Sequence, residues 1–291
     1  MAKVLIYPSN VVPGLSLVIT KLGHTPVYKD RSLITPSAII AEGPPGADGV
    51  LMILFTVVDS SESVKQSIRI LNEMGYIFSV GRTNTSSSSL SSVLYTLDLA
   101  STAGFLTSTD MFFRQNSEFL SQTTKDRVSI YMSNGMIIEG FAEYGGNLLI
   151  HDSLERAAAL HYEPNSLASD GFLYQHPLFY IGFLWDLPAD ENSQTILVDF
   201  FRDVFDYCIE YHKPNLIIEG SVKDLTENGL VRDLAIYSTE TNRLIASVKS
   251  DTSGYYQVLL KDPSPVFIVL IPFGFEKPEI HYGVVPQAMS S

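Results

Sequence analysis

The run Val50-Leu-Met-Ile-Leu-Phe-Thr-Val-Val58 holds nine residues without a charge, a glycine or a proline, and it is rich in β-branched side chains. It is too short to span a bilayer as a helix, and it lacks the polar alternation of a half-exposed strand. It therefore reads as a central strand covered on both faces, as in a parallel sheet. The flanking segments fit that reading. Downstream, Ser60-Ser61-Glu62 offers N-cap chemistry to a helix whose apolar positions Val64, Ile68, Leu71 and Met74 recur at helical spacing and end at Gly75. Tyr76-Ile-Phe-Ser-Val80 then resumes as strand. Upstream, Lys3-Val-Leu-Ile-Tyr7 is a strand, residues 15–22 a helix closed by Gly23, and His24-Thr-Pro-Val-Tyr28 a second strand. Alternating strand and helix predicts an α/β fold with a mostly parallel, doubly wound sheet and right-handed crossovers.

Further along, Asn134-Gly135 stands between the alternating runs Arg127-Val-Ser-Ile-Tyr-Met-Ser133 and Met136-Ile-Ile138. Asn-Gly accepts the positive φ of a tight turn, so a hairpin is expected there, interrupting the winding. Gly146-Asn-Leu-Leu-Ile150 and Phe179-Tyr-Ile-Gly-Phe-Leu-Trp185 read as further strands. Residues 192–211 form the closing helix. Ile196, Leu197, Phe200, Phe201, Val204, Cys208 and Tyr211 share one apolar face, and Asp199, Asp203, Asp206 and Glu210 lie outside it as a solvated face. Cys208 is thus a core thiol with no reason to ionise.

The strand order, the Leu22-Gly-His-Thr-Pro26 connection and the closing helix resemble class I glutamine-amidotransferase-like and flavodoxin-like domains across residues 1–213. Such amidotransferases require a cysteine on a sharp strand-to-helix elbow, whereas Cys208 sits late in the closing helix. Neither Gly-x-Cys-x-Gly nor Gly-x-Ser-x-Gly occurs, and the dinucleotide and Walker A glycine patterns are missing as well. The resemblance implies a fold without the activity.

His151-Asp-Ser-Leu-Glu155 followed by His161-Tyr-Glu163 is the densest group of metal-ligating residue types. His151, Glu155 and His161 read as a ligand, metal or acid/base site, or else Asp152-Ser153 simply caps a helix over residues 154–160 with Glu155 as its first-turn charge. His161 lies too far along such a helix to share the face of His151. The Ser/Thr-rich stretch 82–92 is either a plain surface loop or a binding loop at the carboxyl end of a strand. His176, among Phe172, Tyr174, Phe179 and Tyr180, reads as core packing or a pocket wall, and Trp185-Asp186 ends a strand. These readings assign no catalytic, cofactor-binding or metal residue and no cofactor.

After His212-Lys-Pro-Asn215 the alternation stops and strand follows strand: 216–222, 231–237, 244–249, 255–260 and 266–271, with Glu227-Asn-Gly229, Asp251-Thr-Ser-Gly254 and Asp262-Pro-Ser-Pro265 among the turns. A domain boundary near 213–216 is expected, with an α/β domain over 1–213 and a small all-β sandwich over 216–291. At Asp251-Thr-Ser-Gly254 the aspartate can accept a backbone N–H two residues on and the glycine can turn left-handed, which predicts a hairpin corner. The stretch Gly220-Ser-Val222, Leu230-Val-Arg-Asp-Leu-Ala-Ile-Tyr237, Thr241-Asn-Arg-Leu244, Ser250-Asp251 to Gly254-Tyr255 and Val284-Val285-Pro286 resembles carboxypeptidase regulatory-like, transthyretin-like modules of immunoglobulin-type sandwich form. Versions with this corner look like those appended to structural proteins of tailed bacteriophages. The resemblance implies an accessory module without its peptidase, since His-x-x-Glu is missing.

With 291 residues, 45% hydrophobic and only 18% charged, the chain has ample material for packed cores. Its net charge of −13 repels phosphate backbones and anionic lipid, so neither nucleic acid nor membrane is expected as a partner. One cysteine leaves no internal disulfide. Met1-Ala-Lys3 and the apolar run broken by Pro8 and Pro13 do not read as a signal peptide, and folding in a host cytoplasm is expected. The expected function is that of a structural virion protein of a tailed phage, at neck, collar, tail or capsid surface, with other virion proteins and copies of itself as partners and no enzymatic activity. An amidotransferase-like hydrolase, or a small-ligand or glycan binder using exposed aromatics such as Tyr255 and Tyr282, is the alternative.

Overall fold

The computed structural model describes residues 1–7, 12–58, 61–83, 98–99, 102–183, 191–213, 216–223, 228–239, 244–260, 265–271 and 279–288. The chain divides into two compact units, Met1–Tyr211 and His212–Ser291. In the first, β1 (Lys3–Tyr7), α1 (Pro13–Lys21), β2 (Thr25–Tyr28), α2 (Pro36–Ile40), β3 (Val50–Val58), α3 (Glu62–Glu73) and β4 (Phe78–Thr83) follow the strand-helix alternation. Then come β5 (Thr102–Phe113), the short α4 (Gln122–Lys125), β6 (Ser129–Glu139), β7 (Gly146–His151), β8 (Ala157–Tyr162), the small pair β9 (Ser166–Leu167) and β10 (Leu173–Tyr174), β11 (Leu178–Ile181) and α5 (Glu191–His212).

One sheet organises this unit, in the order β2-β1-β3-β4-β11-β8-β6-β5-β7. The first five strands run parallel, and from β11 onward every pairing is antiparallel. β7 pairs with both β5 and β8, so β5, β6, β8 and β7 form a closed circuit of pairings. The architecture is α/β with a large mixed sheet, not a mostly parallel one.

The apolar run at β3 is buried as expected. Met52 and Leu54 join Val4 and Ile6 on the face packed by Leu15, Val18 and Ile19 of α1 and by Leu197, Phe200, Phe201 and Val204 of α5. Ile53 and Phe55 join Leu5 and Tyr7 on the other face, against Ile39 of α2 and Ile68 and Leu71 of α3. Lys3 pairs with Val50 but Val4 with Met52, which leaves Leu51 as an extra residue at a bulge and puts it beside Met52 in the same core. Among the described residues, no helix is long and apolar enough to cross a membrane.

Three local expectations are corrected. Asn134-Gly135 is not a turn: β6 runs straight through it, with Asn134 opposite Thr107 and Gly135 opposite Leu106. A hairpin there would leave its second strand only a few residues long, whereas β5 offers a partner along the whole of β6. Residues 154–160 are not helical. Asp152 ends β7 in a tight turn, its Oδ1 accepting the N–H groups of Leu154 and Arg156 and its Oδ2 the Arg156 guanidinium, with Glu155 at φ +60°. The chain returns as β8, whose Ala157-Ala-Ala-Leu-His-Tyr162 is buried throughout. Helix propensity favours alanine by roughly 0.5 kcal/mol per residue, but burying Leu160 or Tyr162 in the core that also holds Ile68 and Leu71 is worth about 2 kcal/mol each, so burial wins. Finally, Asp199 is not solvated: it is buried in α5, held by Arg127 at 2.6 Å and Arg202 at 2.8 Å. Asp206 and Glu210 are exposed, and Asp203 accepts the Ser121 N–H.

The second unit holds β12 (Leu216–Ser221), β13 (Asp233–Ser238), β14 (Leu244–Lys249), β15 (Tyr255–Leu260), β16 (Val266–Leu270), β17 (Glu279–Val284) and β18 (Gln287–Ala288). They form two antiparallel sheets, β15-β12-β18 and β14-β13-β16-β17. Ile218, Val258 and Leu260 of one sheet share a core with Leu234, Ile236, Val266 and Ile268 of the other. The Asp251 corner has the chemistry read from sequence: Oδ1 accepts the N–H of Ser253 and Tyr255, and Gly254 takes φ +81°. It is not a hairpin, however. β14 and β15 belong to different sheets, and the corner carries the chain from one layer to the other.

Candidate functional site

The stretch 84–97, which contains most of the Ser/Thr-rich tract, lies outside the described residues, as do Trp185 and Asp186. Cys208 is buried in α5 and burial pushes its thiol well above the ordinary range, so it is no nucleophile at neutral pH. His176 is a packing residue: Asn72 Nδ2 donates to its carbonyl at 3.0 Å, and its Nδ1 lies 2.8 Å from the Tyr211 hydroxyl. Tyr255 is partly exposed and donates to Glu219 at 2.6 Å, and the side chain of Tyr282 lies outside the described residues.

The remaining candidates separate. The β7–β8 hairpin sets His151 opposite Ala157 and His161 opposite Asn147. His151, its Nδ1 at 2.8 Å from the Asp152 carbonyl, lines a cavity of about 420 Å³ with Phe112, Arg114 and Val128. Glu155 and His161 line a different cavity of about 500 Å³. Among the described residues, no three His, Cys, Asp or Glu side chains converge to hold a metal ion.

The cavity at His161 is built from non-local pieces. β8 supplies His161, with Glu163 just beyond it, β7 supplies Asn147, and the polar segment 114–121 supplies Arg114, Asn116, Glu118 and Phe119. That segment is pinned to α5 by the Ser121 N–H to Asp203 at 3.0 Å, and its Arg114 binds Glu155 at 3.0 Å. His161 is about 1% exposed. Its ring stacks on Phe179 at 4.8 Å and contacts Phe119 at 4.8 Å and Tyr207 at 4.6 Å. Nδ1 lies 3.4 Å from a Glu163 carboxylate oxygen, while Nε2 is buried without a hydrogen-bond partner. The Tyr207 hydroxyl donates to the other Glu163 oxygen at 3.4 Å. Burial lowers the His161 pKa from 6.5 to about 3, so the imidazole is neutral at neutral pH.

That shift makes His161 a source of pH-dependent stability. Below pH 6.5 the unfolded chain binds a proton that the folded chain refuses until about pH 3, so stability falls as pH drops through this window. At about 1.4 kcal/mol per unit, His161 alone removes roughly 2 kcal/mol between pH 6.5 and pH 5. Urea unfolding at pH 7 and pH 5 is expected to show this loss in the natural chain and its disappearance in His161→Phe. An unchanged difference would mean that the ring is not held neutral.

Of the residues lining this cavity, the sequence marks Glu155, His161 and Glu163. Arg114, Glu118, Phe119 and Tyr207 come from a loop and a helix distant in the chain, and no local pattern marks them. No protein-family model matches the chain, and no curated protein matches it. Among solved structures the chain is similar to an exo-β-1,4-mannosidase, Op5Man5, from Opitutaceae bacterium strain TAV5, at 10% identity and a TM-score of 0.37. The match covers 72% of this chain and 35% of the mannosidase, so the chain spans about a third of that protein. A superposition this loose fixes neither fold nor activity.

Proposed function

We propose that the chain is a structural component of a tailed-bacteriophage particle, working by protein–protein assembly with other virion proteins and with copies of itself, and carrying no reaction of its own. In this reading the first unit is a flavodoxin-like lobe and the second a transthyretin-like sandwich that supplies adhesion. The observation that carries it is the surface of the second unit. Val231, Leu244, Ile245, Tyr255, Ile271 and Val285 are all exposed, and Leu244 and Ile245 are adjacent at a bulge in β14, a strand at the edge of its sheet. Edge strands of proteins that stay monomeric are usually guarded by charge or proline, and exposed apolar residues at an edge invite a partner. The Ser250-Asp251 to Gly254-Tyr255 corner, which resembles that of phage-borne modules, adds the setting.

Purified particles are expected to contain the chain in a fixed copy number. The double substitution Leu244→Lys and Ile245→Lys is expected to abolish its incorporation without moving the unfolding midpoint of the isolated protein. Finding the chain only as free protein in lysates, or undiminished incorporation of the double variant, would overturn the reading.

A further inference from the structure

We infer that Asn228-Gly229 is a site of spontaneous covalent modification, where the asparagine converts through a cyclic imide to isoaspartate and the conversion loosens the second unit. The reaction consumes only water. The backbone nitrogen of Gly229 attacks Cγ of the Asn228 amide, the new N–C bond closes the imide ring, and the side-chain nitrogen leaves as ammonia. Water then opens either carbonyl of the imide, giving aspartate or isoaspartate. Glycine favours ring closure because it has no Cβ to obstruct the approach of its nitrogen.

The chain carries two Asn-Gly pairs, and the fold treats them differently. Asn134 and Gly135 stand within β6, opposite Thr107 and Leu106 of β5. Ring closure requires the asparagine side chain to swing over the following peptide nitrogen, which an extended backbone holds out of line, so the ladder must open before Asn134 reacts. Asn228 lies outside the strands and is exposed. Gly229 and Lys223 form an isolated antiparallel bridge, beside which the Leu230 N–H donates to the Val222 carbonyl at 2.8 Å. In that pattern the bonds flank the bridge, and the Gly229 N–H points away from Lys223. The attacking nitrogen is thus not committed to the pairing.

The position gives the product its effect. Isoaspartate carries the main chain through its side-chain carbons and so lengthens and redirects the path into Gly229. That glycine has no space beside it, since a carbon added there would meet the Ser253 carbonyl carbon and oxygen at 2.0 Å and the Gly254 nitrogen at 2.6 Å. The longer path must therefore shift Gly229 against the corner, where the Val222 N–H donates to the Gly254 carbonyl at 2.8 Å. The aspartate product keeps the original path and leaves these contacts in place.

Incubation of the full chain at 37 °C and pH 8, followed by tryptic digestion and mass spectrometry, tests this. Cleavage after Lys223 and Arg232 isolates residues 224–232. This peptide is expected to gain one mass unit, with isoaspartate located at residue 228 by fragmentation, about tenfold faster or more than the peptide holding Asn134. In concentrated urea the two pairs are expected to convert at similar rates, because the fold alone separates them. The aged chain is expected to lose hydrogen-exchange protection in β12 and β15, whereas aged Asn228→Gln, whose longer side chain cyclises far more slowly, is expected to keep it. Conversion at Asn134 as fast as at Asn228 in the folded chain, or an unchanged peptide 224–232, would overturn the inference. So would native-like protection in chains that carry isoaspartate at residue 228, since the corner would then accommodate the longer path.

Discussion

Gly254→Ala is expected to unfold the second unit while leaving the first intact. Gly254 sits at φ +81°, where a side chain costs about 1 kcal/mol, but that strain is the smaller part. A Cβ added there would lie 2.1 Å from the Val222 carbonyl oxygen, 2.9 Å from Gly229 Cα and 3.0 Å from the Leu230 nitrogen. All three are backbone atoms, with no flexible side-chain end to swing away. The contact is reciprocal: a Cβ on Gly229 would meet the Ser253 carbonyl carbon and oxygen at 2.0 Å. The two glycines let the inter-sheet corner pass directly over the residues between β12 and β13, where the Val222 N–H donates to the Gly254 carbonyl at 2.8 Å. Forcing them apart is expected to cost more than about 3 kcal/mol, a large share of what a unit of this size has to spare. Hydrogen exchange read by mass spectrometry is expected to show lost protection in β12, β13, β15 and β16 and unchanged protection in β1 and β3. Gly23→Ala separates strain from collision, because Gly23 has φ +82° with nothing within 4 Å of the added carbon, and it is expected to cost only about 1 kcal/mol. Native-like protection in Gly254→Ala would show that the corner yields.

That corner also marks how far sequence reaches. Asp251 and Gly254 announce a turn through local chemistry, and local chemistry is what the turn uses. Which strands it joins depends on pairing with β12 and β13, tens of residues away, and nothing in the four turn residues states it. The same division runs through the first unit. β1 and β3 are legible because burial on both faces leaves runs that are apolar but for Lys3 at the start of β1 and Thr56 in β3. β8 is equally buried, but its alanines are compatible with either state and Asp152-Ser153 resembles a helix cap, so the local signal points to the wrong element. Asn134-Gly135 misleads for a related reason, since a turn-prone pair is overridden when a long partner strand lies alongside. Of the His161 site only Glu155, His161 and Glu163 stand out in the sequence. The loop carrying Phe119 and the helix carrying Tyr207 meet them through the topology of the sheet alone.

Arg69→Met is expected to destabilise the first unit by about 3 kcal/mol. Lys65 and Arg69, one turn apart on α3, are both almost fully buried, an unusual position for either side chain. They are held by Asp98 and Asp170. Arg69 lies 3.0 Å from Asp98 and 2.6 Å from Asp170, and Lys65 binds Asp98 closely and Asp170 at 3.2 Å. The Arg69 guanidinium also sits 4.4 Å above the Phe172 ring. Burial by itself would raise the Asp170 carboxyl, but the hydrogen bonds from Arg69 and Lys65 outweigh it and hold the group well below the usual carboxylate range. Its contribution to stability is therefore complete above about pH 4 and is lost as pH falls further. With two cations and two carboxylates the cluster is balanced, and deleting one cation leaves it with an uncompensated negative charge near the core. The cost falls at the low end for a broken buried pair because Lys65 remains to share both carboxylates and Asp170 is 38% exposed. Adding Asp170→Asn to Arg69→Met is expected to restore part of the loss, since the surviving Lys65 and Asp98 again balance. Urea denaturation of the two variants at neutral pH reads both effects. A double variant less stable than Arg69→Met by the full cost of Asp170→Asn alone would mean that the two residues contribute independently and that charge balance does not hold this corner of α3 in place.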